Sequence, residues 1–419
     1  MILKCDQQKT VTTTCFSFLI FEKYPSFMNK IIFTEEFCQP ENLYPFTLTR
    51  QIQDIRAGIL TIREKWEKIL GLKSFDRWED DYKDLDRSIH INESISDDVY
   101  FMIHGNILPT PKLIKNLRKL KNGEFISVNG NAGVIFRFTK NEIKEPNKIK
   151  VTKAVTIKDV VKSIQFPWDI FQINDYAIRQ DFNLLTAKRK SQKISATNKL
   201  INRSAIFIEK GAIVEHCILN AAEGPIYIGK NALIMEGTTI RGPFAAGEGA
   251  VVKMNSRIYG ATTIGPYCIA GGEIKNSVFF AYSNKAHDGY IGDSVIGEWC
   301  NLGAGTTNSN IKNNASSVKV WTPNGEMNAG LKCGMFMGDF SKAAINTSFN
   351  TGTVVGVCCN VFNTGLTPKF IPNFSWGSDG VQRYQLEKAI VDIEDWKKLK
   401  GQAMTENEKT ILQYIFKNL

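Results

Sequence analysis

The chain has 419 residues, 43% hydrophobic and 22% charged, with a formal net charge of +10. That length exceeds one ordinary core, and the composition is that of a normal soluble protein, not a fibrous or disordered one. No apolar run approaches the roughly 20 residues of a membrane helix, so no membrane partner is expected.

Residues 1–27 read as an extension without order, because "MNKIIFTEE" from Met28 looks like a native start with a first strand. Residues 28–165 mix strand-like and helix-like segments. "KIIFTEE" and "VYFMIHGN" read as short buried strands. "DIRAGILTIREKWEKIL", Asp54 to Leu70, sets Ile55, Ile59, Ile62, Trp66 and Ile69 at helical spacing. Strands alternating with helices predict an α/β layer domain. In residues 166–203, Phe171, Ile178, Phe182 and Leu185 fit one helix face, predicting a helical arm and linker. The basic stretch "TAKRKSQKISATNKLINR", Thr186 to Arg203, has no interleaved aromatics, so nucleic acid is not an expected partner. Small anions remain compatible with the charge.

Residues 204–377 carry a repeat. An apolar residue recurs every sixth position through Ile228, Ile234, Ile240, Ala246, Val252, Ile258, Ile264 and Ala270. Four residues after each of the first seven stands Ala232, Thr238, Phe244, Ala250, Ser256, Thr262 or Cys268, nearly all small. This is the hexapeptide pattern of a left-handed parallel β-helix, with one inward aliphatic per short strand and a small residue near each corner. The register resumes as Leu331, Met337, Ala343, Phe349, Val355 and Val361, and residues 303–330 are expected to bulge outward. Residues 378–419 are helical in pattern, with Thr405 and Glu408 forming a capping box.

The nine cysteines include no C-x-x-C pair. Neither a zinc site nor a disulfide framework is indicated, and the cytoplasm is the expected compartment. There are four histidines. His90, His104 and His216 have ordinary structural readings. His287 stands in "SNKAHDGY", where the six-residue period slips, so its loop is expected to leave the coil wall. Imidazole titrates near working pH and suits general-base work, while loop amides could stabilise a tetrahedral intermediate.

The stretch "EIKNS…NKAHDGYIGD…NLGAGT…N" resembles the acetyltransferase half of the bacterial bifunctional glucosamine-1-phosphate N-acetyltransferase / N-acetylglucosamine-1-phosphate uridyltransferase family. "LYPFTLTRQIQDIRAGILTIREKWE" and "MGDFSKAAINTSFNTGTVVG" resemble its divergent variant, labelled putative sugar nucleotidyltransferase. The resemblance implies an α/β nucleotidyltransferase-like domain, an arm, a trimeric β-helix and C-terminal helices. It implies acetyl transfer from acetyl-CoA to an amino-sugar 1-phosphate, with nucleotidyl transfer from UTP or another NTP to a sugar 1-phosphate in the first domain. By matching position, His287 is the general base, and Lys275 holds the sugar phosphate. Tyr290, Asn301 and Asn310 position the sugar and acetyl groups. The family's further lysine aligns with Ser316, with Lys319 nearby.

The first domain departs from the family. Its glycine-rich phosphate loop is missing, which leaves Arg50, Arg56 and Lys65 as candidate phosphate groups. Helix N-termini favour anions, and Arg50 and Arg56 flank a loop-to-helix start. The family's metal aspartate matches Asn106, which lacks the charge to offset Mg²⁺. The second metal position matches Asn174, with Asp175 beside it. Two alternatives remain open: a nucleotidyltransferase whose β-helix only oligomerises the chain, and an inactive trimeric binding scaffold. A γ-type carbonic anhydrase needs three metal-binding histidines, and only His216 and His287 lie in the repeat.

Overall fold

The computed structural model describes residues 29–35, 38–74, 99–130, 133–144, 148–158 and 160–419. The expected extension at 1–27 and His90 lie outside them. The described residues divide into two compact units: those within 1–40, 51–54 and 62–165 form the first, and those within 41–50, 55–61 and 166–419 the second.

In the first unit β1 (Asn29–Thr34) pairs in parallel with β2 (Lys73–Ser74) and with β3 (Tyr100–His104), and β3 pairs antiparallel with β5 (Gly133–Phe138). β4 (Glu124–Val128) joins β5 to the strand Lys153–Ile157. Ile32, Tyr100, Met102, Phe125, Phe136 and Phe138 pack one face of this sheet, as alternation along each strand requires. The helix α1 (Ile62–Leu70) buries Ile62 and Trp66, whose indole donates to the Ile107 carbonyl at 2.9 Å, and α2 (Pro111–Leu117) buries Leu113 and Leu117.

The expected helix from Asp54 is shorter, beginning only at Ile62. The reason lies in the second unit. Gly58 has φ +83°, and its N–H donates to Asn174 Oδ1 at 2.6 Å. The amides of Ile59 and Leu60 both donate to Asp181 Oδ2, at 2.8 and 3.0 Å. Three successive N–H groups turned onto side chains are not available to the carbonyls four residues back, so no helical ladder from Asp54 runs through them. Asn174 and Asp181 belong to α4 (Asn174–Thr186), which follows α3 (Pro167–Gln172) as the arm.

The rest of the second unit is a parallel β-solenoid. Its walls are sheets of nine, eight and six strands, with each strand paired to the equivalent strand one coil on. The first eight repeat positions, Ile228 to Ala270, all lie in one continuous core. The seven corner positions, Phe244 among them, are buried as well. Leu331 is a correction: it is 61% exposed, and the inward positions of the returning strand are Met335 and Met337. The bulge is also displaced from its expected bounds. Thr307–Asn308 still pairs with Ser348–Phe349 inside the coil. The excursion follows it and carries a hairpin of Lys319–Thr322 and Gly325–Asn328 before Met335 resumes the wall.

Two helices close the unit, α5 (Leu386–Leu399) and α6 (Glu406–Asn418). Thr405 and Glu408 form the expected capping box. They dock on a corner column: Tyr267, Tyr282 and Trp299 stack on successive coils, and the Lys397 ammonium lies 5.2 Å from the Trp299 ring. Lys400 donates to the carbonyls of Tyr267 and Tyr282 at 2.8 and 2.9 Å. No helix among the described residues is long and apolar enough to cross a membrane.

Candidate functional site

The coils shorten where the period slips. Ala246 and Ile264 are register partners eighteen residues apart, whereas Ile264 pairs with Phe279, fifteen on. Phe279 pairs with Ile296, seventeen on, so the slip around His287 is a tightened coil, not a loop detached from the wall. Asn284–Lys285 remains a wall strand, and His287 emerges, exposed, in the turn before the strand Tyr290–Gly292.

On the adjoining wall, outward residues of successive coils line a pocket of about 680 Å³ that includes Arg241, Tyr259, Lys275, Asn276, Asp293 and Lys332. Register sets this arrangement, because Lys275 pairs with Gly292 and Asp293 follows directly. The Asp293 N–H donates to the Lys275 carbonyl at 3.0 Å. Asp293 is 4% exposed and accepts from Asn276 Nδ2 at 2.7 Å and from Asn310 Nδ2 at 2.5 Å. Asn310 Nδ2 also donates to the Tyr290 hydroxyl at 3.0 Å. Burial, with the charges of Asp293 and Glu273, pushes the Tyr290 phenol up to about 12, so it keeps its proton at neutral pH. With its oxygen accepting from Asn310, its O–H proton is available to a ligand. Gly292 makes room for this ring, since a Cβ there would lie 2.2 Å from the Tyr290 hydroxyl.

Lys275, Tyr290 and Asn310 are thus joined through Asp293. Asn301 is not: it sits on a different wall, in register with Asn284 and Lys342. His287 lies three residues before Tyr290, and of the five expected residues only Lys275 lines the pocket; His287, Tyr290, Asn301 and Asn310 do not. Ser316 is exposed, its N–H donating to Asn314 Oδ1 at 3.1 Å. Lys319 is on the hairpin, 3.7 Å from Glu326. The sequence reading missed Asp293 and Asn276. Their signal was the repeat itself, which puts residues one coil apart side by side.

The three candidate phosphate cations are divided between the two units. Arg50 and Arg56 belong to the second unit and Lys65 to the first, where it is 2% exposed on α1. Arg50 pairs with Asp339 and lies 3.4 Å from Glu298, with its guanidinium 4.8 Å from the Phe280 ring centroid. Arg56 donates to the Ile59 carbonyl of its own loop. The expected metal residues do not fit a cation. Asn174 Oδ1 accepts from Gly58, and its Nδ2 donates to the Ala261 carbonyl and to Thr263. Asp175 pairs with Arg179 at 2.5 Å, and Asn106 turns its amide to the Ile164 carbonyl. No cluster of three metal-binding side chains occurs among the described residues.

An α/β unit, an arm and a parallel solenoid with an outer pocket of mixed charge define the class, an α/β domain joined to a hexapeptide solenoid. Residues 31–190 match the family model described as sugar nucleotidyl transferase. The bifunctional protein GlmU of Methanocaldococcus jannaschii is 29% identical over 217 residues, covering 52% of this chain and 47% of that protein. GlmU of Methanococcus maripaludis is 27% identical over 264 residues, 58% of each chain. A bifunctional sugar-1-phosphate nucleotidylyltransferase/acetyltransferase of Sulfurisphaera tokodaii is 26% identical over 253 residues, 55% of each. The chain spans about half the length of these curated relatives, and the matches support a divergent GlmU-like family.

Proposed function

We propose that the protein is a sugar-nucleotide transferase whose solenoid moves an acetyl group from acetyl-CoA to the amine of an amino-sugar 1-phosphate. The observation that carries this reading is the hydrogen-bonded set of Tyr290, Asn310 and Asp293 beside the Lys275 strand, with Tyr290 three residues from an exposed His287. In the reaction the sugar nitrogen attacks the thioester carbonyl while His287 takes its proton, and the C–S bond breaks to release CoA. Lys275 supplies charge to the sugar phosphate, Tyr290 donates from its phenol, and Asn301 and Asn310 position the sugar and acetyl groups. We place the active form as a homotrimer, in which a neighbouring copy completes the cleft. The cytoplasm suits the seven described cysteines, which are all free and buried. The test is CoA release from acetyl-CoA with glucosamine 1-phosphate: wild type turns over and His287→Ala does not.

The match over residues 31–190 favours a second activity, nucleotidyl transfer from UTP or another NTP to a sugar 1-phosphate. Pyrophosphate release with N-acetylglucosamine 1-phosphate tests it. In the relatives' chemistry a divalent ion would serve this step, but Asn174 and Asp175 are engaged with protein groups, so no step is assigned through them.

A further inference from the structure

One inward column of the solenoid runs through Val214, Ile234, Val252 and Ala270, register partners coil by coil. The next partner of Ala270 is Lys285, and it is 0% exposed. Beyond it the aliphatic pattern returns with Leu302, Ala343 and Val361. An ammonium in such a lumen is costly unless hydrogen-bonded, and an alanine or valine would fill the position without that cost. Folding therefore does not ask for a lysine here.

What the lysine touches gives its use. Its Nζ donates to the carbonyl of His287 and, at 3.0 Å, to that of Asp288. Gly289 follows with φ +124°, and a Cβ there would lie 3.2 Å from the ammonium and 2.1 Å from the Thr306 carbonyl oxygen. The turn thus closes tightly over the charge. Burial lowers the ammonium to about 8, against the opposing pull of Asp288, so it is still protonated at neutral pH and can donate to both carbonyls.

We propose that Lys285 is a positioning residue for acetyl transfer, tying the His287–Gly289 turn down from inside the solenoid so that the imidazole is held in one attitude. This rests on His287 being the base. Two variants test it, with CoA release and amide hydrogen exchange as readouts. Lys285→Met fills the lumen without a donor. It should keep the melting temperature at or above wild type, lower kcat about ten-fold or more, and leave both KM values within about two-fold. Exchange at residues 287–290 should speed up. Lys285→Ala copies the neighbouring Ala270, so the backbone accepts it, and ethylammonium but not ethanol should restore its kcat saturably. An unchanged kcat in both variants, or equal rescue by ethanol, would overturn the proposal. If wild type releases no CoA, the acetyl-transfer reading fails, and exchange alone decides Lys285: unchanged protection in both variants would then refute it.

Discussion

A carboxylate only accepts hydrogen bonds, so Asp293 dictates how two side-chain amides face it. Asn276 and Asn310 must both offer nitrogen, which turns the Asn310 oxygen away from Asp293 as an acceptor and keeps the Tyr290 proton for the ligand. Asp293→Asn should therefore flip or splay both amides. Sugar-phosphate KM is expected to rise about ten-fold, at a stability cost of about 1–3 kcal/mol measurable by urea denaturation. His104 in the first unit tests a buried imidazole. Burial lowers it to about 4 from an ordinary 6.5. Between those values the unfolded chain binds the extra proton, so stability is lost as pH falls through the window. At pH 5 the loss is about 2 kcal/mol relative to pH 7. Hydrogen exchange within β3 reads this unit alone, and His104→Phe should flatten its acid limb.

Elements show where the sequence was legible. The hexapeptide period placed the inward column from Ile228 to Ala270 because each residue repeats one local environment. It failed at Leu331, where the chain re-enters from an excursion and no preceding coil sets the phase. The start of α1 was misplaced because Ile55 and Ile59 do fit a helical face. What stops the helix is Asp181, 121 and 122 positions from the amides it holds. Such a long-range partner leaves no periodic trace. Gly58→Ala checks this cause, since its Cβ would fall 2.6 Å from Asp181 Oδ2 at a positive φ. It should lower stability by about 1–3 kcal/mol, read by thermal melting. Within the candidate site, His287, Lys275, Tyr290, Asn301 and Asn310 were named as a spaced set by the family resemblance, and the structure joins Lys275, Tyr290 and Asn310 of them. Asp293 and Lys285 were not legible, because one is recognised by what it bonds and the other by pointing the wrong way for a lysine.

For the whole molecule, the solenoid is a stack in which every coil templates the next, and the pocket residues inherit their spacing from it. Its integrity depends on inward positions alone. Ile258→Ala, in the continuous core, should cost about 2–5 kcal/mol, while Leu331→Ala, 61% exposed, should stay within about 0.5 kcal/mol. Chemical denaturation distinguishes the two. The scaffold holds Lys275, Tyr290 and Asp293 side by side, with Asn310 reaching in from the start of the excursion, and brings His287 out at the tightened coil beside them. The most direct test of this account is CoA release from acetyl-CoA and glucosamine 1-phosphate by wild type and by His287→Ala. Turnover by wild type with a loss of about a hundred-fold or more in the variant is the predicted result. Equal turnover by both proteins, or none by wild type, would contradict it.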